Sequence, residues 1–266
     1  MSGPTGEAAT RWANALAGWT IPADILTAAP EPPWGYPLQL FVDAAQTAMT
    51  ADTPSRRAAA DALPDGGTVL DVGAGAGAAS LPLADRAGRI IAVDASMEML
   101  AAFATGADHL GADHKQICGQ WPAVESQTPI AEVVVCHHVL YNIAGAVPFV
   151  HALNDHARRR VVVEITDRHP QSSLNTVWLH FHGIVRPETP TAVDLIDVLR
   201  DEGFDVSVER FSMANRLAAR DPAETVAFAR RRLCLPPGRD PEVAEMLSEL
   251  REHAPSQLVT LSWTCC

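Results

Sequence analysis

The segment Val69-Leu70-Asp71-Val72-Gly73-Ala74-Gly75-Ala76-Gly77 concentrates residue types that handle a small ligand. Glycines placed directly after an apolar run let the backbone turn tightly and approach a ligand with no Cβ in the way. A helix opening beyond them would offer its free N–H groups to the same ligand. Gly73, Gly75 and Ala78 also fit the dinucleotide pattern G-x-G-x-x-(G/A) when it is read leniently, so spacing alone leaves the ligand open. Two acids narrow it. Asp94 closes the next apolar run, RIIAVD, where a carboxylate suits the hydroxyls of a ribose, a need common to nucleoside ligands. Asp71 stands two residues before the first glycine, where it repels a pyrophosphate but can accept hydrogen bonds from an ammonium group. S-adenosylmethionine carries an amino group and a sulfonium and no phosphate, so Asp71 favours that ligand over a nicotinamide dinucleotide.

A second group of reactive side chains lies at the end of the run EVVVCHHV and just beyond it: Cys136, His137, His138, Tyr141 and Asn142. Glu164 stands near the end of RRVVVEIT, Asp167 and His169 follow it, and Trp178, His180, Phe181 and His182 come soon after. Ligands of open α/β sheets sit beyond the carboxyl ends of the strands, where these residues fall. Successive residues of an extended strand point to opposite sides, so one of the two histidines faces a site unless the strand has already ended. His138 is the first choice as general base or acceptor contact, and His137 is expected beside the cofactor. His169 and Tyr141 are further catalytic candidates, and Trp178 and His182 are candidates for the acceptor pocket. Trp34 and Tyr36 would lie over the cofactor if the N-terminal segment forms a lid, touching a sulfonium by cation–π attraction or shaping a flat pocket. They could equally pin that segment to the domain. Imidazoles are good metal ligands, but no compact histidine pair with a firm carboxylate partner stands out, and no metal is assigned.

The elements that must position these groups alternate. Strand-like runs at TVLDV, RIIAVD, HKQIC, EVVVCHHV and RRVVVEIT are separated by helix-like AASLPLADRA, SMEMLAAFATGA (with Ser96 as N-cap) and AVPFVHALNDHA. Nearly continuous apolar strands with helices between them predict a mainly parallel sheet covered on both faces. TAVDLIDVLRDEG reads as a helix stopped by Gly203, and FDVSVERF and QLVTLSWT as two further strands. Residues 1–50 read as a helical cap with a proline-rich loop at 30–37. Residues 51–266 read as the main domain, with insertions near 167–190 and 222–253.

The totals bound the function class. The 266 residues carry a formal net charge of -12, which disfavours a phosphate backbone as partner and favours a small molecule. The runs Arg158-Arg159-Arg160 and Arg230-Arg231-Arg232 are expected to be solvated helix ends. Nothing approaches a membrane span or a secretory signal, so the protein is expected to be cytoplasmic. Five scattered cysteines with no CxxC pair argue against a disulfide framework, with Cys118 and Cys136 expected to be small buried hydrophobes and no role assigned to Cys265-Cys266. Lys115 is the only lysine among 20 basic residues, so a Tyr-x-x-x-Lys pair for hydride transfer is absent. That disfavours an NAD(P)-dependent oxidoreductase. A non-catalytic binder of S-adenosylmethionine remains open at this level.

VLDVGAGAG followed by RIIAVDASMEML resembles motif I and the second-strand acid of class I S-adenosylmethionine-dependent methyltransferases. EVVVCHHVLYNI is similar to their fourth-strand motif and RVVVEIT to their fifth strand. The resemblance spans residues 66 to 266, and the chain resembles uncharacterised small-molecule methyltransferases of high-GC bacteria. It implies a doubly wound Rossmann-like α/β fold with a seven-stranded sheet in the order 3-2-1-4-5-7-6, strand 7 antiparallel. It further implies that Gly73, Gly75 and Gly77 line the methionine portion of S-adenosylmethionine, Asp71 supports its amino group and Asp94 holds the ribose. Ala95, Ser96 and Met97 would flank the adenine. Many relatives carry an acid after the third strand for the adenine amino group. This chain has Gly119-Gln120-Trp121, where Gln120 could accept that bond and Trp121 could pack on the ring or belong to the core. The activity implied is methyl transfer to an oxygen or nitrogen of a small-molecule acceptor.

Overall fold

The computed structural model of the chain describes residues 6–35, 37–213, 221–251 and 256–265. Seven strands form one sheet: β1 (Gly67–Val72), β2 (Ala87–Asp94), β3 (His114–Cys118), β4 (Ala131–His137), β5 (Ala157–Thr166), β6 (Ser207–Met213) and β7 (Ser256–Thr264). Their order is 3-2-1-4-5-7-6, and β7 runs antiparallel to both neighbours, as the family resemblance implies. Continuous valine and isoleucine runs give the central strands two buried faces.

Period-two alternation divides those residues between the faces. Leu70, Val72, Val134, Cys136, Val161 and Val163 share one core, with helices α1 (Glu7–Ala17), α6 (Ala146–Asp155) and α8 (Ala192–Asp201) packed on it. Val69, Val133, Val135 and Val162 face the other way, toward α4 (Pro54–Ala62). On that side α5 (Met97–His109) covers Ile90 and Ala92 through Leu100, Phe103 and Ala107. Ser96 caps α5 by accepting from the Met99 N–H at 3.3 Å.

The crossover from β1 to β2 departs from expectation. In place of a helix over AASLPLADRA the chain makes successive turns and one short 3₁₀ turn, Leu81–Leu83. Only 14 residues separate Val72 from Ala87, and Pro82 lies among them; a full helix and both its loops do not fit in that length. The α4 face is therefore covered by a helix from the N-terminal side of the domain rather than by the crossover.

Helices α2 (Ala23–Ala28) and α3 (Leu38–Ala48) flank the proline-rich loop, and α7 (Asn175–His182), α9 (Pro222–Arg232) and α10 (Asp240–Arg251) fall in the two insertions. Ile21, Val177, Trp178, Leu233 and Val243 form a separate small core there. The Arg230–Arg232 run is not a solvated end. Arg230 is buried, donating to Glu31 at 2.7 Å and lying 2.9 Å from Asp240, while Arg231 and Arg232 donate to the Gly35 carbonyl. Guanidiniums whose stems pack among apolar neighbours can fasten a loop in this way. The Arg158 run is tied more lightly, through Arg158 to Glu132 and Arg160 to the Ala58 carbonyl.

An aromatic column fixes α1 to the sheet. Trp12 stacks on Tyr141, whose edge meets His169, which stacks on Trp19 at 3.8 Å between ring centres. Among the described residues, no helix is long and apolar enough to cross a membrane.

Candidate functional site

Register brings four acidic or imidazole side chains onto the α4 face at the carboxyl end of the sheet. Asp71 pairs with Ala92 on β2 and Val135 on β4, so Asp94 and His137 follow two residues further along the same face. His137 in turn pairs with Glu164 on β5.

The glycine-rich loop turns as its residues require. Gly73 and Gly75 have φ of 73° and 52°, in the left-handed region. A Cβ on Gly73 would overlap Val139, and one on Gly75 would come within 3.0 Å of the Phe41 ring of α3. Asp94 organises the loop: its two oxygens accept from the Gly75 and Ser96 N–H groups, each at 2.9 Å. Each carboxylate oxygen keeps a further acceptor site for a hydroxyl. Asp71 is buried, and its Oδ2 accepts from Ser80 at 2.6 Å, which ties the strand to the turn after the glycines. Its Oδ1 is buried with no hydrogen-bond partner among the described atoms. Burial pushes the Asp71 carboxyl up to about 7, with the charge of Asp94 adding to the rise against the lowering bond from Ser80. Cys136, buried behind it, has its thiol pushed well up by burial and by Asp71. Cys118 differs from expectation: it lies exposed at the end of an edge strand, 3.8 Å from the Ala95 carbonyl.

These features fit the methionine and ribose portions of S-adenosylmethionine. The Asp71 Oδ1 is a buried acceptor in need of a donor, and Asp94 has acceptor capacity for ribose hydroxyls. Ala95 and Met97 are exposed beside Asp94, and Gln120 is exposed just past β3. Trp121 is buried and meets His156 edge-on at 4.8 Å, so it belongs to the core.

Both histidines after β4 reach the same side because the strand ends at His137. His138 takes φ of 61°, a conformation that costs a non-glycine residue about 1–3 kcal/mol and turns its side chain back. Its backbone N–H donates to the Glu164 carbonyl at 2.7 Å, and its Nε2 lies 3.1 Å from Glu164 Oε1. Glu164 is 4 % exposed. Burial alone would raise its pKa, but the charges of His137 and His138 and hydrogen bonds from His138 and Ser55 outweigh it and hold the carboxyl down at about 2. Ser55 shares a 2.6 Å hydrogen bond with Thr260 of β7. His137, His138 and Glu164 line a cleft whose opposite walls are Ala78 and Ala79 from the glycine loop and Arg56 from α4.

The other candidates lie elsewhere. Tyr141 is buried, with its hydroxyl donated to the Thr166 carbonyl at 2.8 Å and its pKa raised by burial. It holds the aromatic column and has no face toward the cleft residues. His169 sits in the same column, 7 % exposed. Burial, then the Arg186 charge, bring it down to about 4, so it is neutral at pH 7. Trp178 is 1 % exposed inside the small core, and His182 bonds the Leu233 carbonyl at 2.7 Å. Trp34 is half exposed on the loop that Arg231 and Arg232 fasten. Tyr36 and Cys266 lie outside the described residues. Among the described residues, no group of three or more His, Cys, Asp or Glu side chains could hold a metal ion.

The sequence marks Glu164 only as an acid near the end of β5 and gives Arg56 no distinction. Glu164 was findable, since its strand position matches that of His137. Arg56 had no signal, because nothing in PSRRAAADA says which arginine turns inward.

Residues 69–166 match a family model described as a methyltransferase domain, a span that runs from β1 through β5. A search of curated proteins found no relative. Among solved structures, the chain is similar to the magnesium protoporphyrin IX methyltransferase of Synechocystis PCC 6803, at 16 % identity and TM-score 0.51 over 86 % of this chain and 84 % of that one. It is also similar to the YcgJ protein of Bacillus subtilis, at 15 % and 0.53 over 79 % and 97 %. A third is a cyclopropane-fatty-acyl-phospholipid synthase-like protein of Lactobacillus casei, at 16 % and 0.53 over 85 % and 98 %. At such identities the likeness is one of fold.

Proposed function

We propose that this chain, which carries a class I S-adenosylmethionine-dependent methyltransferase domain over residues 69–166, methylates an oxygen or nitrogen of a small-molecule acceptor. The observation that carries the reading is the His138–Glu164 pair, set at the carboxyl ends of β4 and β5 in a cleft bordered by the glycine-rich loop.

S-adenosylmethionine, when bound, supplies an electrophilic methyl group open to in-line attack. The residues suited to hold it are Asp71 for its amino group, Gly73, Gly75 and Gly77 along the methionine, and Asp94 for the ribose. Ala95, Ser96, Met97 and Gln120 would border the adenine, with His137 at the methionine end. His138 has the separate task of making the acceptor nucleophilic. Ionised Glu164 accepts the Nε2–H, which fixes the tautomer and leaves Nδ1 as the basic nitrogen. A hydroxyl or ammonium reaching the cleft would give its proton to Nδ1, and the resulting imidazolium would be stabilised by the buried carboxylate. A thioether acceptor would not need such a base.

A small acceptor is favoured over nucleic acid because the Arg230–Arg232 run is engaged internally and the net charge is -12. The test is turnover of radiolabelled S-adenosylmethionine with a panel of phenolic, hydroxy-acid and amine acceptors by the wild type and His138→Asn. Asparagine tolerates the left-handed backbone, so the variant keeps its fold. The expected result is a hundredfold or greater loss of kcat with cofactor affinity within twofold. Equal turnover by the variant would remove His138 from the reaction.

A further inference from the structure

Arg56 has no part in the reading above, yet it lines the same cleft as His137, His138 and Glu164. It lies in the first turn of α4, and its Nη1 donates to the Met49 and Ala51 carbonyls, each at 3.1 Å. Those two bonds fix the plane of the guanidinium while Nε and Nη2 keep their donors. Among the described residues, no carboxylate forms an ion pair with Arg56; its chain neighbour Arg57, by contrast, turns outward to Asp52 at 3.0 Å and Glu209 at 3.4 Å. The cleft has a single acid, Glu164, already engaged by both histidines and Ser55. The guanidinium therefore shares the cleft with one carboxylate but, among the described residues, is in no ion pair with it, in a chain whose formal net charge is -12.

We propose that Arg56 is a carboxylate anchor: its oriented guanidinium takes the carboxylate of a small molecule bound in the cleft beside the His138–Glu164 pair. A planar fork with fixed orientation and free adjacent donors is the arrangement that binds a carboxylate through two hydrogen bonds. The remaining walls are small or apolar side chains, four alanines with Thr47, Thr53, Pro82 and Met213. The carboxylate has two possible sources, the amino-acid end of the cofactor and an acidic acceptor. The inference rests on the methyltransferase reading only for the first.

Three binding titrations on the full chain separate the cases, using wild type, Arg56→Gln and Arg57→Gln. The ligands are S-adenosylhomocysteine, methylthioadenosine (which lacks the amino-acid end), and benzoate against benzamide, with and without S-adenosylhomocysteine. If the cofactor is the source, Arg56→Gln weakens S-adenosylhomocysteine at least tenfold and leaves methylthioadenosine unchanged. If the acceptor is the source, benzoate binds the wild type more tightly than benzamide and Arg56→Gln abolishes that preference. Arg57→Gln changes neither. Arg56→Lys, which keeps the charge, is expected to restore part of whichever affinity is lost. An Arg56→Gln chain that melts as a folded protein and binds S-adenosylhomocysteine and benzoate as the wild type does would overturn the proposal and leave Arg56 as a clasp for the α3–α4 turn. Failure of the wild type to bind either adenosyl ligand would count against the methyltransferase reading, while the benzoate arm would still decide the fate of Arg56.

Discussion

Replacing Asp71 by asparagine should make the ligand-free protein more stable at pH 8 and nearly unchanged at pH 4. The carboxyl is raised from an ordinary 3.8 to about 7, chiefly by burial. A shift of about three units corresponds to about 4 kcal/mol. Because the folded value is the higher one, the stability it contributes is fully present below pH 3.8 and is lost as the pH rises toward 7. Across that interval the unfolded chain has released a proton that the fold retains. Asparagine has the same shape, can still accept from Ser80, and carries no charge to bury. The melting temperature of Asp71→Asn minus that of wild type should climb between pH 4 and 7 by on the order of 10 °C, at roughly 2–4 °C per kcal/mol for a domain of this size. The same proton couples to the cofactor. If Asp71 receives the methionine ammonium in its ionised form, S-adenosylmethionine affinity should fall about tenfold per pH unit below 7. Calorimetry in buffers of different ionisation enthalpy should then detect proton release on binding, and Asp71→Asn should show none. A melting-temperature difference that stays flat from pH 4 to 8 would refute the claim that burial governs this carboxyl.

Three further outcomes are expected. Asp94→Ala should weaken S-adenosylmethionine and also loosen the glycine loop, since it removes acceptors from the Gly75 and Ser96 N–H groups; faster hydrogen exchange at those amides checks this. His169→Gln should flatten the acid limb of stability between pH 6.5 and 4, where the buried neutral imidazole, held down to about 4, costs the fold up to about 3 kcal/mol as the unfolded chain takes up a proton; urea unfolding at stepped pH measures it. Arg230→Met should destabilise by roughly 2 kcal/mol, below the 3–5 kcal/mol of a fully buried ion pair because Glu31 and Asp240 both reach water, and thermal melting reads it directly.

The sheet was legible from the sequence because period and composition act locally. Valine runs such as Val133–Val135 and Val161–Val163 admit few other buried elements, and motif I together with Asp94 orders the first two strands. The β1–β2 crossover was misread because AASLPLADRA has helix-compatible spacing; what overrides it is the short span between strands, a tertiary constraint. The arginine run at 230 was misread for the opposite reason. A charged stretch at a helix end is ordinarily solvated, and only the arrival of Glu31, Gly35 and Asp240 from distant segments makes burial favourable. Within the site, Asp71, Asp94 and His138 could be selected from type and position, while Tyr141, Trp178 and His182 could not be distinguished from core. Whether a ring points to a cavity or into packed side chains depends on neighbours far away in the chain.

The bond between Ser55 and Thr260, with Glu164 resting on Ser55, has a consequence in time rather than in space. On a ribosome, β1 through β5 emerge in order and can pair as they come, but β5 faces an open edge until β7 inserts beside it. Thr260 is the residue opposite Glu164 on that last strand. His138 therefore cannot acquire its finished carboxylate support until β7, which follows β5 and β6 in the chain, has been made. During that wait the uncovered β5 edge, with Val161, Val162 and Val163 in line, is the part of the nascent protein most exposed to pairing with the wrong strand.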